Sequence, residues 1–192
     1  MQSPHPAQVV SARLAALICA ALVATGAVLR AIPCGNEFWL DEIWTYGLVR
    51  GLDSASGVFT ALHHSNNHHL SSLAFYWLGD SPNWAIYRLP SLVAGVGSVV
   101  LAILITWRRS RVQALIAAVL FDFCFSLVQF SSEARGYALA VFFALAAFLL
   151  LERDLERPRL WQPNPTACHS RGRSRSRSSS RKAASAKNTA RA

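Results

Sequence analysis

The sequence predicts an all-α, polytopic membrane protein of about four transmembrane helices, and three observations carry that prediction. Hydrophobic residues make up 53% of the 192-residue chain and charged residues only 15%, with a mean hydropathy of +0.28. Ordinary soluble domains sit nearer 45–50% apolar and about 25% charged. The apolar residues gather in four runs, at about 9–32, 86–107, 112–130 and 136–151. A hydrocarbon core about 30 Å thick takes about 20 such residues as a helix. Finally, the charge is lopsided: residues 1–151 carry eight Arg against seven acids, and residues 152–192 carry eleven Lys or Arg against three. The composition excludes a disordered protein and argues against a soluble enzyme. The net charge of +9 belongs to a tail and gives no reason to expect a nucleic-acid partner for the body. Cys19, Cys34, Cys124 and Cys168 show no C-x-x-C spacing, so neither a disulfide scaffold nor a zinc knuckle is indicated.

The first run has an uncharged centre between Arg13 and Arg30, which can snorkel to the two interfaces. A cleaved signal peptide is the alternative, disfavoured by the lack of a clean A-x-A site. The second run ends on Trp107, an interface residue type. The third carries one acid, Asp122, and the fourth is short enough to need a turn borrowed from 131–135. Arg108, Arg109 and Arg111 sit between runs two and three, and more basic residues follow run four. The long loop 33–85 holds only Arg50. The positive-inside rule then puts loops 33–85 and 131–135 outside and both termini in the cytoplasm, in a plasma (inner) membrane protein.

The outer loop has helical texture. Leu70, Leu73, Ala74, Trp77 and Leu78 recur at helical spacing, as do Trp39, Leu40, Ile43, Trp44 and Leu48, with Asn36 as the candidate N-cap. Trp-rich stripes fit helices lying in the headgroup layer, and padding of the bundle is the plain alternative. Asp41 and Glu42 interrupt one stripe. An acid among bulky apolar residues at a membrane surface can serve as a general base, because partial burial raises its pKa. A solvated acidic pair at a helix start is the bland reading. Between the helices, the run from His63 to His69 offers four imidazoles, better suited to a hydrogen-bonding loop than to a metal, and no metal site is assigned. Arg88 and Arg135 lie on the same side as Asp41, where guanidinium groups can hold phosphate.

Four segments occur in order: Phe38-Trp39-Leu40-Asp41-Glu42; Asn66-Asn67-His68-His69-Leu70; Tyr87-Arg88-Leu89-Pro90-Ser91; and Ser131-Ser132-Glu133-Ala134-Arg135-Gly136-Tyr137. Over residues 10–155 this resembles the N-terminal part of a GT-C fold glycosyltransferase, of the family-39 or protein-mannosyltransferase-like type. The resemblance implies Asp41 as catalytic aspartate with Glu42 beside it. It implies Asn67, His68, His69, Arg88, Glu133, Arg135 and Tyr137 as substrate-binding candidates. It further implies a sugar donor on polyprenyl phosphate, transfer to an acceptor hydroxyl on the outer face, and no resident cofactor, with a divalent metal left open. Such enzymes are typically at least twice this length, so this chain alone is expected to have little activity.

Residues 1–155 therefore form a membrane domain, and 156–192 an Arg/Ser-rich tail expected to be disordered. The tail has two readings: an interaction segment for RNA or an acidic partner, or the product of a shifted frame or truncation. The second is preferred, because nothing in it serves a transferase. The rival for the whole chain is a non-catalytic integral membrane protein or transferase remnant.

Overall fold

The computed structural model describes residues 11–64 and 67–156. Ser65, Asn66, the first two residues of the run 9–32 and nearly all of the tail lie outside the described residues. Eight α-helices and no strand occur among those described: α1 Ala12–Ala31, α2 Leu40–Arg50, α3 Gly57–Thr60, α4 His69–Leu78, α5 Ala85–Trp107, α6 Arg111–Phe123, α7 Phe125–Ser131 and α8 Tyr137–Glu156. The protein is an all-helical, membrane-embedded chain.

Among the described residues, two helical segments are long and apolar enough to cross a bilayer: Ala12–Gly35, which is α1 prolonged by a 3-10 turn, and α5. Ser11 starts α1 properly, its hydroxyl accepting from the Leu14 N–H at 3.2 Å. Small and medium residues seal α1, α5 and α6 together: Cys19, Val99, Ile103, Ala114 and Ala118 are buried in one cluster. Alanine at two contact positions of α6 lets the backbones approach, the usual device where lipid supplies no hydrophobic drive. Leu17, Val93, Leu120 and Phe125 point outward and are well exposed, as a lipid-facing surface requires.

The third expected run is not one straight helix. It breaks at Cys124, whose backbone is extended (φ −70°, ψ 108°), and α6 and α7 meet at a 62° bend. No Pro or Gly stands at the break. The cause is a side chain from another helix. Arg30 Nη2 donates to the Phe121 carbonyl at 2.8 Å, taking an acceptor at the C-terminal end of α6. The guanidinium also stands at the negative end of the α6 dipole.

Arg30 is therefore not the interface anchor that its place at the end of an apolar run suggested. It is 1% exposed and paired at 3.4 Å with Asp122, itself fully buried. Snorkelling loses because the opposing acid and two backbone carbonyls, of Phe121 and Gly26, satisfy the charge within the bundle. Gly26 is required: a Cβ there would lie 1.9 Å from Asp122 Oδ1.

The fourth run also differs from expectation. Residues 132–136 form a non-helical connection, so no turn is borrowed from 131–135. The apolar part of α8 runs from Tyr137 to Leu151 only, before Glu152 and Arg153. In the segment between α1 and α5, Asn36 does not cap α2. Its carbonyl accepts from Arg88 at 2.7 Å, and the cap position is Trp39, whose N–H donates to Glu42 Oε2 at 2.9 Å. Val49, Phe75, Tyr87 and Ala134 form a second buried cluster joining α2, α4, the start of α5 and the connection before α8.

Candidate functional site

The sequence-predicted residues converge at one end of the bundle, where α2, the segment before α4, the first turn of α5 and the 132–136 connection meet. Glu42 is the centre of that convergence. As the third residue of α2 it is fully buried, and its two oxygens accept four hydrogen bonds. Oε1 takes Arg88 Nε (2.9 Å) and the Ala134 N–H (2.5 Å), and Oε2 takes Arg88 Nη2 (2.6 Å) and the Trp39 N–H. Arg88 is 1% exposed and equally committed. Beyond the bidentate grip on Glu42, its guanidinium donates to the carbonyls of Pro33, Cys34, Asn36 and Glu37 at 2.7–3.1 Å.

These partners correct two expectations. Glu42 has no lone pair left to take a proton from a substrate, and Arg88 has no N–H to offer a phosphate. Their role is to tie the end of α1, the start of α2, α5 and the 132–136 connection together. The sequence shows the residues but not their partners, which are mostly backbone atoms brought in by the fold.

Asp41, one residue earlier on α2, points the other way. Its side chain is 41% exposed and forms a close ion pair with Arg135, 21% exposed. Arg135 also stands 3.4 Å from Glu133, whose other oxygen accepts from Gln129 Nε2 at 2.6 Å. The guanidinium lies over the Tyr137 ring, 5.0 Å from its centroid, and Ser91 Oγ donates to the Arg135 carbonyl at 3.0 Å, fixing the backbone. Asp41, Glu133, Arg135 and Tyr137 thus form one half-open cluster.

The histidine run contributes unequally. His68 meets the Tyr137 ring edge-on at 5.1 Å. Its backbone neighbour across the site is Gly136, where a Cβ would come within 2.8 Å of His68 Cβ. The ring is harder to protonate than a free imidazole, first because of burial, then because of Arg135, with His69 adding slightly and Asp41 opposing. Asn67 is a loop clamp: Nδ2 donates to the Val58 and Leu62 carbonyls at 3.0 Å each, and Oδ1 accepts from Ser72 Oγ at 2.8 Å. Its amide is used up, so the substrate contact expected of it is not available. His69 stacks on Phe59 at 5.3 Å. Among the described residues no group of three or more His, Cys, Asp or Glu is placed to hold a metal ion.

No protein-family model matches this chain, and no curated protein or solved structure is significantly similar to it. Function must be argued from the site.

Sequence reasoning missed the Arg30–Asp122 pair. A signal was present: a single acid in one apolar run and a cation bordering another are complementary, and an ionisable residue at membrane depth calls for a named partner.

Proposed function

We propose that this chain is a membrane glycosyltransferase module that moves a sugar from a polyprenyl-phosphate donor to an acceptor hydroxyl on the outer face. The observation that carries the proposal is the meeting of Asp41 and Arg135, distant in sequence, in one accessible ion pair at the bundle end. Arg108, Arg109 and Arg111 lie at the far end of α5, about 34 Å away at 1.5 Å per residue. The positive-inside rule then turns Asp41 outward. In this reading α1, α5, the bent α6–α7 pair and α8 make four spans, and both termini are cytoplasmic.

The chemistry needs a base and a charge partner for the leaving group. Asp41 takes the acceptor's proton, the acceptor oxygen attacks the anomeric carbon, and the carbon–oxygen bond to phosphate breaks with its electron pair leaving on phosphate. One displacement inverts the anomeric centre. Arg135 is the cation available to the phosphate, since Arg88 is committed to Glu42 and backbone. With Asp41 and Glu133 both beside it, Arg135 is shared, so an arriving phosphate competes with Asp41 for the guanidinium and frees the carboxylate for the acceptor. Glu42 and Arg88 position the site without touching substrate, and His68 and Tyr137 form its wall.

Transfer of labelled sugar from a polyprenyl-phosphate donor, measured in membranes containing a full-length transferase that carries this region, tests the reading. Asp41→Asn is expected to stop transfer while donor binding persists, and Arg135→Ala to weaken donor binding. Unchanged transfer in Asp41→Asn removes Asp41 from the mechanism. Absence of donor binding by the unaltered chain favours a non-catalytic membrane protein. Orientation is checked separately with single cysteines at Ser54 and Ser174. An impermeant thiol reagent is expected to label position 54 from outside, and position 174 only after the membrane is opened.

A further inference from the structure

Inward of the Asp41–Arg135 cluster, the fold closes over a cavity of about 20 Å³ bounded by α1, α5, α7 and the first turns of α8. Arg30, Gly95, Ser98, Ser131, Tyr137 and Ala138 contribute to its wall. A space of about 10–15 Å³ on this measure already admits one water, so the volume suits a single molecule.

The polar groups on the wall have the pattern a water requires. Arg30 is 1% exposed, and while its two Nη atoms are engaged, its Nε has no partner. Gly95 brings the Arg30 stem and Ser131 to one part of the wall. A Cβ at Gly95 would stand 3.3 Å from Arg30 Cδ and 2.2 Å from Ser131 Oγ. Nε is one bond from that Cδ, which brings it to the part of the wall that carries the Ser131 hydroxyl. Ser131 gives its proton to the Leu127 carbonyl, and Ser98 gives its own to the Ala94 carbonyl at 2.8 Å. Both oxygens keep lone pairs. One free N–H and two accepting oxygens complement a molecule that both accepts and donates.

An anion matches less well. It would face two hydroxyl oxygens whose protons are committed, beside a guanidinium whose charge Asp122 already balances. An apolar occupant would leave Arg30 Nε unsatisfied.

We propose that this cavity is a binding site for one ordered water. The water accepts from Arg30 Nε and donates to Ser98 and Ser131, satisfying the Arg30 donor atom that the protein leaves unpaired. It joins α1 to α5 and α7 close to the bend at Cys124 without opening that region to bulk solvent.

The test uses the full chain in lipid nanodiscs and two measurements. Water-edited solid-state NMR is expected to show magnetisation transfer from a bound water to the Arg30 Nε proton. Ala138→Val, which fills the cavity, is expected to abolish that transfer and lower the thermal midpoint. In an Arg30→Met/Asp122→Leu background the cavity has no charged wall and is dry, so the same Ala138→Val change is expected to raise the midpoint. The reversal of sign separates a displaced water from simple crowding. Absence of water transfer to Arg30 Nε in the unaltered chain overturns the proposal, and so does a midpoint shift of the same sign in both backgrounds. The NMR result on the unaltered chain decides the matter if a variant does not fold.

Discussion

Two guanidinium–carboxylate pairs are buried among the described residues, and they are built to different standards. Arg88 and Glu42 meet bidentately, and the remaining capacity of both groups is taken by backbone N–H and carbonyl groups of residues 33–39 and of Ala134. Arg30 and Asp122 touch through one oxygen at 3.4 Å, and Arg30 Nε and Asp122 Oδ2 have no protein partner. Desolvating two charges costs several kcal/mol per ion, recovered only when geometry and additional hydrogen bonds are good. The first pair meets that condition and ties together the end of the bundle where α2 and the 132–136 connection meet. The second meets it in part, through the contacts of Arg30 with the Gly26 and Phe121 carbonyls. The first has no hydrogen-bonding capacity left for a substrate, and the second is enclosed within the bundle. The Asp41–Arg135 pair, by contrast, remains half open, and the proposed chemistry is assigned to it for that reason.

The comparison breaks first at Glu42. Glu42→Ala strands a fully buried guanidinium among carbonyl groups, with an expected cost of about 3–5 kcal/mol. Thermal unfolding in detergent or nanodiscs measures it. Arg88→Lys should not restore stability, because a point ammonium cannot reproduce the fork that reaches Glu42 and the 33–37 carbonyls. A loss below about 1 kcal/mol would mean that the network is not the clamp described above.

The second pair is probed most cleanly through its neighbour. Gly26→Ala forces a Cβ to within 1.9 Å of Asp122 Oδ1 and 2.7 Å of its Cγ, in a helix where the glycine φ is ordinary. The expected destabilisation is about 1–3 kcal/mol, the range for overpacking a close contact. In an Asp122→Ala background the obstacle is gone, and the penalty of Gly26→Ala should shrink. An unchanged penalty would show that backbone helicity, not the ion pair, sets the requirement for glycine.

How far these features could be read from sequence depends on what specifies them. The apolar periodicity of α5 and the stripe in α4 follow from the identities of their own residues, and the helices appear within a residue or two of expectation. The convergence of Asp41 and Arg135 was legible because topology alone puts their loops on one side. The bend at Cys124 was not, since its cause is Arg30, some ninety residues away, acting on a backbone carbonyl. The roles of Glu42, Arg88 and Asn67 were hidden for the same reason: each is decided by main-chain partners that a side-chain pattern does not encode.

Asp41 sharpens the contrast from the other side. At 41% exposure, its pairing with Arg135 is screened by solvent, and Asp41→Asn should change stability by no more than about 1 kcal/mol. The thermal midpoint of this variant should therefore sit close to that of the parent, well above Glu42→Ala. Adjacent acids on one helix would then differ several-fold in structural cost, as expected if one is a strut and the other a working group. A midpoint for Asp41→Asn as low as that of Glu42→Ala would dissolve the distinction.

The smallest expected effect is a pH slope at His68. Burial is the main cause holding its imidazole below the ordinary value of 6.5; the Arg135 charge acts in the same direction, with a lesser push from His69, and Asp41 opposes. A histidine whose folded-state pKa is lowered favours the neutral form in the native protein. Above pH 6.5 the ring is neutral in both folded and unfolded chains, and its contribution to stability is fully present. As pH falls from 6.5 through the lower folded value, the unfolded chain binds a proton that the native chain resists, and stability declines. Partial exposure keeps the slope shallow. Thermal midpoints of the parent and His68→Gln, compared between about pH 8 and pH 5, should diverge only on the acid side, with the parent losing more. Arg135→Gln removes one of the charges that face the ring, so the His68 titration followed by NMR should move up toward 6.5. A titration already at or above 6.5 in the parent would mean that Asp41 outweighs burial and Arg135 together. The ion pair would then be directed at His68 as much as at Arg135, and the cluster would carry a second cation at mildly acidic pH.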